Sequence, residues 1–364
     1  MNTTKISSYN KLIAFFLIIV ALLSVLVVSA NGWQDDNPFW ENKDDDTAGG
    51  ENDNTDKDDN NPTEKPIDPV EPEAPKFYHH ITGIEVTEEI YGDPQVAYVI
   101  DGNSPLCGVA NCNVLIEFPT ENQKTRYIMI SDKSASMMKI GSITYSRKFM
   151  SNLAPVFGAT LVTLGNDDTI EYEHTDIGEN IVELPKNSGS YYTEYTYFTY
   201  TSTQLLNPII PTTPKTPATL PYGFMEDSNA TVRNISAKTV NIPYETATSL
   251  VFSQEQNGYC LYKMGSDKID VSTSKQAIFT NVLILYADTM TYETAEKTEM
   301  VMNTIGSGSG YFAYNGMAEE ITWSMDANGN MSLYNKNGEK LQIGRGSTYI
   351  AYVKSSKINN TIFS

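Results

Sequence analysis

Cysteine and histidine are scarce in this chain: 364 residues hold three of each. His79 and His80 are adjacent and His174 stands alone, so no metal-ligand spacing is present. The CxxC pair is absent, as are GxSxG, HExxH, Walker and dinucleotide fingerprints. The sequence therefore offers no motif for zinc, for an activated serine or for a nucleotide cofactor, and no cofactor is expected. Basic residues are outnumbered, 25 Lys and Arg against 45 Asp and Glu, for a formal net charge of −20. No basic patch is available to neutralise phosphates, which excludes nucleic acid as a partner. No cysteine precedes Cys107, so the N-terminal region has no site for thioether lipidation. Cys107 and Cys112 are close enough to form a small loop disulfide, which leaves Cys260 as an apolar buried thiol.

What is present is organised along the chain. Residues 1–11 form a short cytoplasmic n-region carrying Lys5 and Lys11. Residues 12–30 are an unbroken apolar run, LIAFFLIIVALLSVLVVSA. At about 1.5 Å per residue it spans roughly 28 Å, close to the ~30 Å of a bilayer core. Lysines before it and Asp35 and Asp36 after it place the remainder outside the cytoplasm. The run reads as a retained single-pass anchor. The alternative is a signal peptide cleaved near Val28-Ser29-Ala30, which would release a secreted protein.

Residues 31–76 follow as an acidic tether. Between Gln34 and Lys76 there are 15 Asp and Glu against 4 Lys, with spaced prolines and almost no aliphatic side chains. Such a segment cannot offset its ordering entropy and is expected to stay disordered. Fully stretched it would reach on the order of 150 Å.

Folded-domain composition begins at about Phe77. Residues 77–206 mix short apolar runs (VAYVI, NVLIEF, RYIMI, TLVTL) with one helix pattern, Ser146–Gly158. There Ser146 is placed as the N-cap, and Phe149, Met150, Leu153 and Phe157 share a face. Residues 207–236, rich in Pro, Thr and Ser, read as a connecting excursion. Residues 237–356 are strand after strand, punctuated by turns such as Asp326–Gly329 and Asn335–Gly338, with a tail at 357–364. Gly306–Gly310 reads as a turn before a strand. The expected fold class is α+β: an N-terminal mixed α/β lobe and a mainly antiparallel β C-terminal lobe.

Among chemistry-bearing residues, Glu117 and Glu121 are the paired carboxylates. On one extended segment they would lie roughly 13 Å apart, beyond the ~5–9.5 Å of glycosidases. They read either as a polar site with Arg126 and Arg147 as charge partners, or as an ion-pair network that fixes strand register. The run Tyr191–Thr203 carries Tyr191, Tyr195 and Tyr197 on one expected strand face. They suit a platform for sugar rings or an ordinary half-exposed sheet surface.

Three stretches resemble one bacterial family. They are CNVLIEFPTENQKTR (Cys112–Arg126), IGSITYSRKF (Ile140–Phe149) and the C-terminal stretch Ile305–Val353. The family is that of the YerB-like lipoproteins, a domain of unknown function, and the likeness runs from His79-His80-Ile81-Thr82-Gly83 to the end of the domain. The resemblance implies an envelope-anchored protein with an α/β part followed by a β part, and no established activity. Asp101, Glu117, Glu121, Thr125, Arg126 and Arg147 match the family pattern. Ser104 and Thr144 stand where it has arginines, and Thr163 and Tyr197 where it has histidines. Without the lipobox cysteine, a transmembrane anchor takes the place of the lipid. The expected function is that of an extracytoplasmic, membrane-tethered envelope protein. It would bind cell-wall polymer or a membrane-bound envelope partner; the alternative is a divergent hydrolase or transferase with Glu117 or Glu121 as acid/base.

Overall fold

The computed structural model describes residues 75–168, 180–186, 188–212, 219–226, 233–293 and 298–364. The apolar run, nearly all of the tether and His174 lie outside them. Among the described residues no helix is long and apolar enough to cross a membrane.

Among the described residues, eleven strands make one mixed sheet. They are β1 (Gln95–Asp101), β2 (Val114–Pro119), β3 (Thr125–Asp132), β4 (Ala159–Thr163), β5 (Ile181–Glu183) and β6 (Ile235–Ser236). The rest are β7 (Asn281–Ala287), β8 (Gly306–Tyr314), β9 (Met317–Met325), β10 (Met331–Asn335) and β11 (Thr348–Lys354). Their order is β6-β9-β8-β7-β11-β2-β3-β1-β4-β5, with β10 also on β9. β11 lies parallel to both β7 and β2, and β4 is parallel to β1 and β5. Strands from both 77–206 and 237–356 thus share this one sheet, joined where Thr348–Ala351 pair with Val114–Glu117.

The central strands show no apolar–polar alternation because both faces are covered. β2 and β7 are buried along their whole length. Alternate residues feed two separate cores: Ala97 and Val99 one, Val96, Tyr98 and Ile100 the other. The first core is closed by Phe149, Met150, Leu153 and Phe157 together with Tyr222, Leu341 and Ile343. A smaller antiparallel sheet closes the second. Its strands are Thr239–Ile242, Thr248–Ser253, Gly258–Lys263, Ser266–Asp267, Ile278–Phe279 and Ile362–Phe363.

The chain is mostly β, and the C-terminal part is mainly β as expected. The mixed α/β character expected of the N-terminal part is not shown. The helix placed over 146–158 is a four-residue α-turn, Lys148–Ser151, and a 3₁₀ turn, Pro155–Phe157. Pro155 has no N–H to continue the ladder, and Arg147, not Ser146, takes the N-cap position. The Ser146 hydroxyl donates instead to the Gly165 carbonyl. The four apolar side chains are buried even so. Gly306–Gly310 is not a turn but the start of β8. A Cβ on Gly308 would lie 2.3 Å from the Tyr286 carbonyl, and one on Gly310 2.2 Å from that of Ile284, so only glycine lets β8 approach β7. The small loop disulfide is absent: Cys107, Cys112 and Cys260 are free, buried thiols. Residues Val109–Asn111 form a 3₁₀ turn between the first two, and the Cys112 thiol is turned onto the Val109 carbonyl.

Candidate functional site

The sequence-selected residues fall into three groups. Glu117 is on the second-core face of β2, beside Leu115. Lys263 is on the matching face of its own strand, in phase with Tyr259 and Leu261. The packing of one sheet on the other brings the two charges together at 2.5 Å, with Glu117 fully buried. Lys263 Nζ also donates to Thr125 Oγ1 and, at 3.2 Å, to the Tyr127 hydroxyl. The Tyr349 hydroxyl donates to the other Glu117 oxygen. All three ammonium protons therefore have acceptors. Tyr244 closes the group, its hydroxyl 3.0 Å from the Glu117 carbonyl and 2.9 Å from that of Tyr352. Burial, reinforced by the Glu117 charge, pushes the phenols of Tyr127, Tyr244 and Tyr349 well above their ordinary range.

Glu121 belongs elsewhere. Just beyond β2, it accepts from Arg147 at 3.2 Å and from the Met300 backbone N–H. Arg147 is buried among four carboxylates: Glu121, Asp167 at 2.8 Å, Asp168 at 3.7 Å and Glu299 at 3.1 Å. Arg126 makes a two-pronged contact with Asp167 at 2.8 and 3.1 Å and donates to the Tyr145 carbonyl at 2.9 Å. Burial opposes the Arg126 charge, but Asp167, Glu121 and Asp101 outweigh it and hold the guanidinium firmly protonated. Glu121 and Arg147 are thus in contact, and Arg126 joins them through Asp167, which it shares with Arg147. Glu117 is not part of that group, and its cation is a lysine the sequence reading missed. Asp101 caps its own turn, accepting from the Asn103 N–H at 2.9 Å. Thr163 and Ser104 also donate locally, to the Thr144 and Asp101 carbonyls. Among the described residues, no group of three or more His, Cys, Asp or Glu is arranged to hold a metal ion.

The tyrosines do not share a strand face. Tyr192–Glu194 and Phe198–Thr201 form a hairpin, and Tyr195, Thr196 and Tyr197 are its tip. Tyr195 is 75% and Tyr197 70% exposed, while Tyr191 packs against the second core. The Tyr197 ring meets Phe198 edge-on at 4.4 Å. Tyr195 (φ 51°) and Thr196 (φ 67°) both have left-handed backbone. They are the two central residues of the β-turn closed by the Tyr197 N–H on the Glu194 carbonyl at 3.3 Å, within a three-residue loop, and Asn and Gly are the residues that adopt this backbone readily.

His79 anchors the start of the domain. Its Nδ1 accepts from the Thr82 N–H at 3.2 Å, so Nε2 carries the proton given to Asp132 at 2.7 Å. His80 stacks on His79, ring centres 5.2 Å apart. Burial and the neighbouring imidazole lower the His80 pKa to about 4.

The architecture is that of a two-core β protein in which the charges of Glu117, Lys263, Glu121 and Arg147 are tied into internal ion pairs. Residues 239–350 match the family described as protein of unknown function (DUF3048), C-terminal domain. The fold is similar to that of the YerB protein from Bacillus subtilis, seen in its crystal structure. The TM-score is 0.63 at 17% identity, over 79% of this chain and 100% of that one. No curated protein matches the chain. The two matches support the YerB-like DUF3048 family, the one the sequence resemblance named.

Proposed function

We propose that this chain is an extracytoplasmic, membrane-tethered envelope protein that binds cell-wall glycan without turning it over. The apolar run and acidic tether supply the anchor and the reach. The observation that carries the binding role is the hairpin tip, where Tyr195 and Tyr197 stand in solvent and Tyr195 and Thr196 hold a left-handed backbone their residue types disfavour. Strain of that kind, of order 1–3 kcal/mol per residue, is concentrated at functional sites in proteins generally, and tyrosine faces suit sugar rings. General acid–base chemistry needs a carboxylate within hydrogen-bond reach of substrate. Glu117 is sealed against Lys263 and Glu121 is bound by Arg147, so the hydrolase or transferase alternative has no free acid or base in them.

The test is co-sedimentation of the full-length chain, in non-ionic detergent, with purified wall sacculi. Wild type should pellet with the sacculi and Tyr195→Ser/Tyr197→Ser should stay in the supernatant. Equal pelleting of the two proteins, or none by wild type, would remove the reading.

A further inference from the structure

One cleft in the domain has a charge opposite to that of the molecule around it. It opens where β2 ends at Pro119 and β11 ends at Val353 and Lys354, beside the Pro243–Thr246 loop of the smaller sheet. It is a shallow cleft open to solvent, with only about 20 Å³ of enclosed room, so a bound group larger than a water would sit across its opening. Lys124, Lys354 and Lys357 line it, and among its lining residues Glu245 is the one carboxylate. The whole chain carries a formal charge of −20. Three lysines against one carboxylate along a single concave surface give it a local positive charge on an otherwise acidic molecule.

The walls are held rigidly. Thr125, on the floor, is locked to Lys263, and the Tyr244 hydroxyl is fixed to the Glu117 and Tyr352 carbonyls. The Thr246 hydroxyl donates to the Gln123 carbonyl at 2.5 Å, tying two further lining residues together. The lysines therefore project from a pre-ordered frame made by three separate elements.

We infer that this cleft binds a phosphate group. The cleft lining contains no arginine, whose planar fork would favour a two-pronged carboxylate contact. Lysines act as point charges and suit an oxyanion that presents oxygens in several directions. The inference is independent of the tyrosine hairpin, which lies on different residues and addresses a neutral sugar face.

The experiment is calorimetric titration of the full-length chain with inorganic phosphate, linear polyphosphate, citrate and dextran. Polyphosphate binding with little response to free phosphate would indicate a phosphate-bearing polymer, and binding of both a single phosphate group; either supports the inference. Lys124→Gln/Lys354→Gln/Lys357→Gln should then weaken phosphate binding at least tenfold. A control of equal charge change outside the cleft, Lys238→Gln/Lys336→Gln/Lys340→Gln, should stay within twofold of wild type. Because Lys354 is half-buried, the exposed pair Lys124→Gln/Lys357→Gln serves as a second variant and should lose most of the same affinity. No heat with either phosphate probe, equal loss in the control, or citrate bound as tightly as polyphosphate would overturn the inference. Loss of sacculus pelleting in the tyrosine variant with phosphate binding intact would leave it standing.

Discussion

Lys263 has three N–H donors, and each meets an acceptor in a place closed to water. Such a pair contributes little net stability relative to a well-packed apolar one, but removing one partner strands a buried charge at about 3–5 kcal/mol. Lys263→Met should therefore lower the unfolding free energy by about that amount in urea denaturation. Glu117→Leu/Lys263→Met should recover most of it, since both charges leave together. Recovery of nothing in the double variant would mean that the tyrosines and Thr125 depend on the ion pair itself. His80 makes a second residue-scale prediction. Its folded pKa of about 4 lies below the unfolded value of about 6.5. Between those values the unfolded chain binds the extra proton, so stability is present above pH 6.5 and declines as pH falls toward 4. Urea midpoints at pH 7, 6 and 5 should fall with a slope that is shallower in His80→Gln. Both features were partly legible. The two-residue period of GYCLYK puts Lys263 in phase with Tyr259 and Leu261, on a buried face where a lysine needs a counter-charge. Which carboxylate answered it was not legible, because that depends on how two sheets stack.

At the scale of elements, local pattern succeeded wherever apolar runs were bounded by turn residues. The strands of the C-terminal part and the turns at Gly329 and Gly338, both with positive φ, follow the reading of the sequence. It failed where one residue changed the geometry. Pro155 divides the expected helix, and a turn at Tyr195–Thr196 folds the tyrosine run back on itself. Neither turn residue is of a type that favours left-handed backbone, so no signal marked the bend. A consequence can be measured. Tyr195→Asn/Thr196→Gly supplies residues that adopt left-handed backbone readily, and relief of the strain at both positions should stabilise the protein by about 2 kcal/mol. The same variant should lose sacculus pelleting if Tyr195 is part of the glycan surface. Greater stability with undiminished pelleting would place any glycan contact elsewhere.

At the scale of the whole molecule, residues Pro72–Ser364 form one compact unit, and the reason lies in the middle of its sheet. β11 comes from near the C-terminal end of the chain, yet it lies between β7 and β2, hydrogen-bonded in parallel to both. Composition changes sharply around 207–236 and suggests two lobes there. Parallel pairing between segments more than 200 residues apart leaves no local signature, which is why the shared sheet was invisible in the sequence. Cutting the chain at 207–236 would expose the β2 edge on one piece and the β11 edge on the other. It would also remove the smaller sheet that covers Leu115, Tyr127 and Met129 on the N-terminal strands. Long apolar strand edges of that kind pair with whatever chain is nearest. Residues 77–206 and 237–356 expressed separately should therefore aggregate or give collapsed amide spectra. Co-expressed, they should recover a soluble complex with dispersed resonances. Independent folding of either piece, seen as a cooperative unfolding transition of its own, would show that the β2–β11 junction is a contact between domains and not the centre of one.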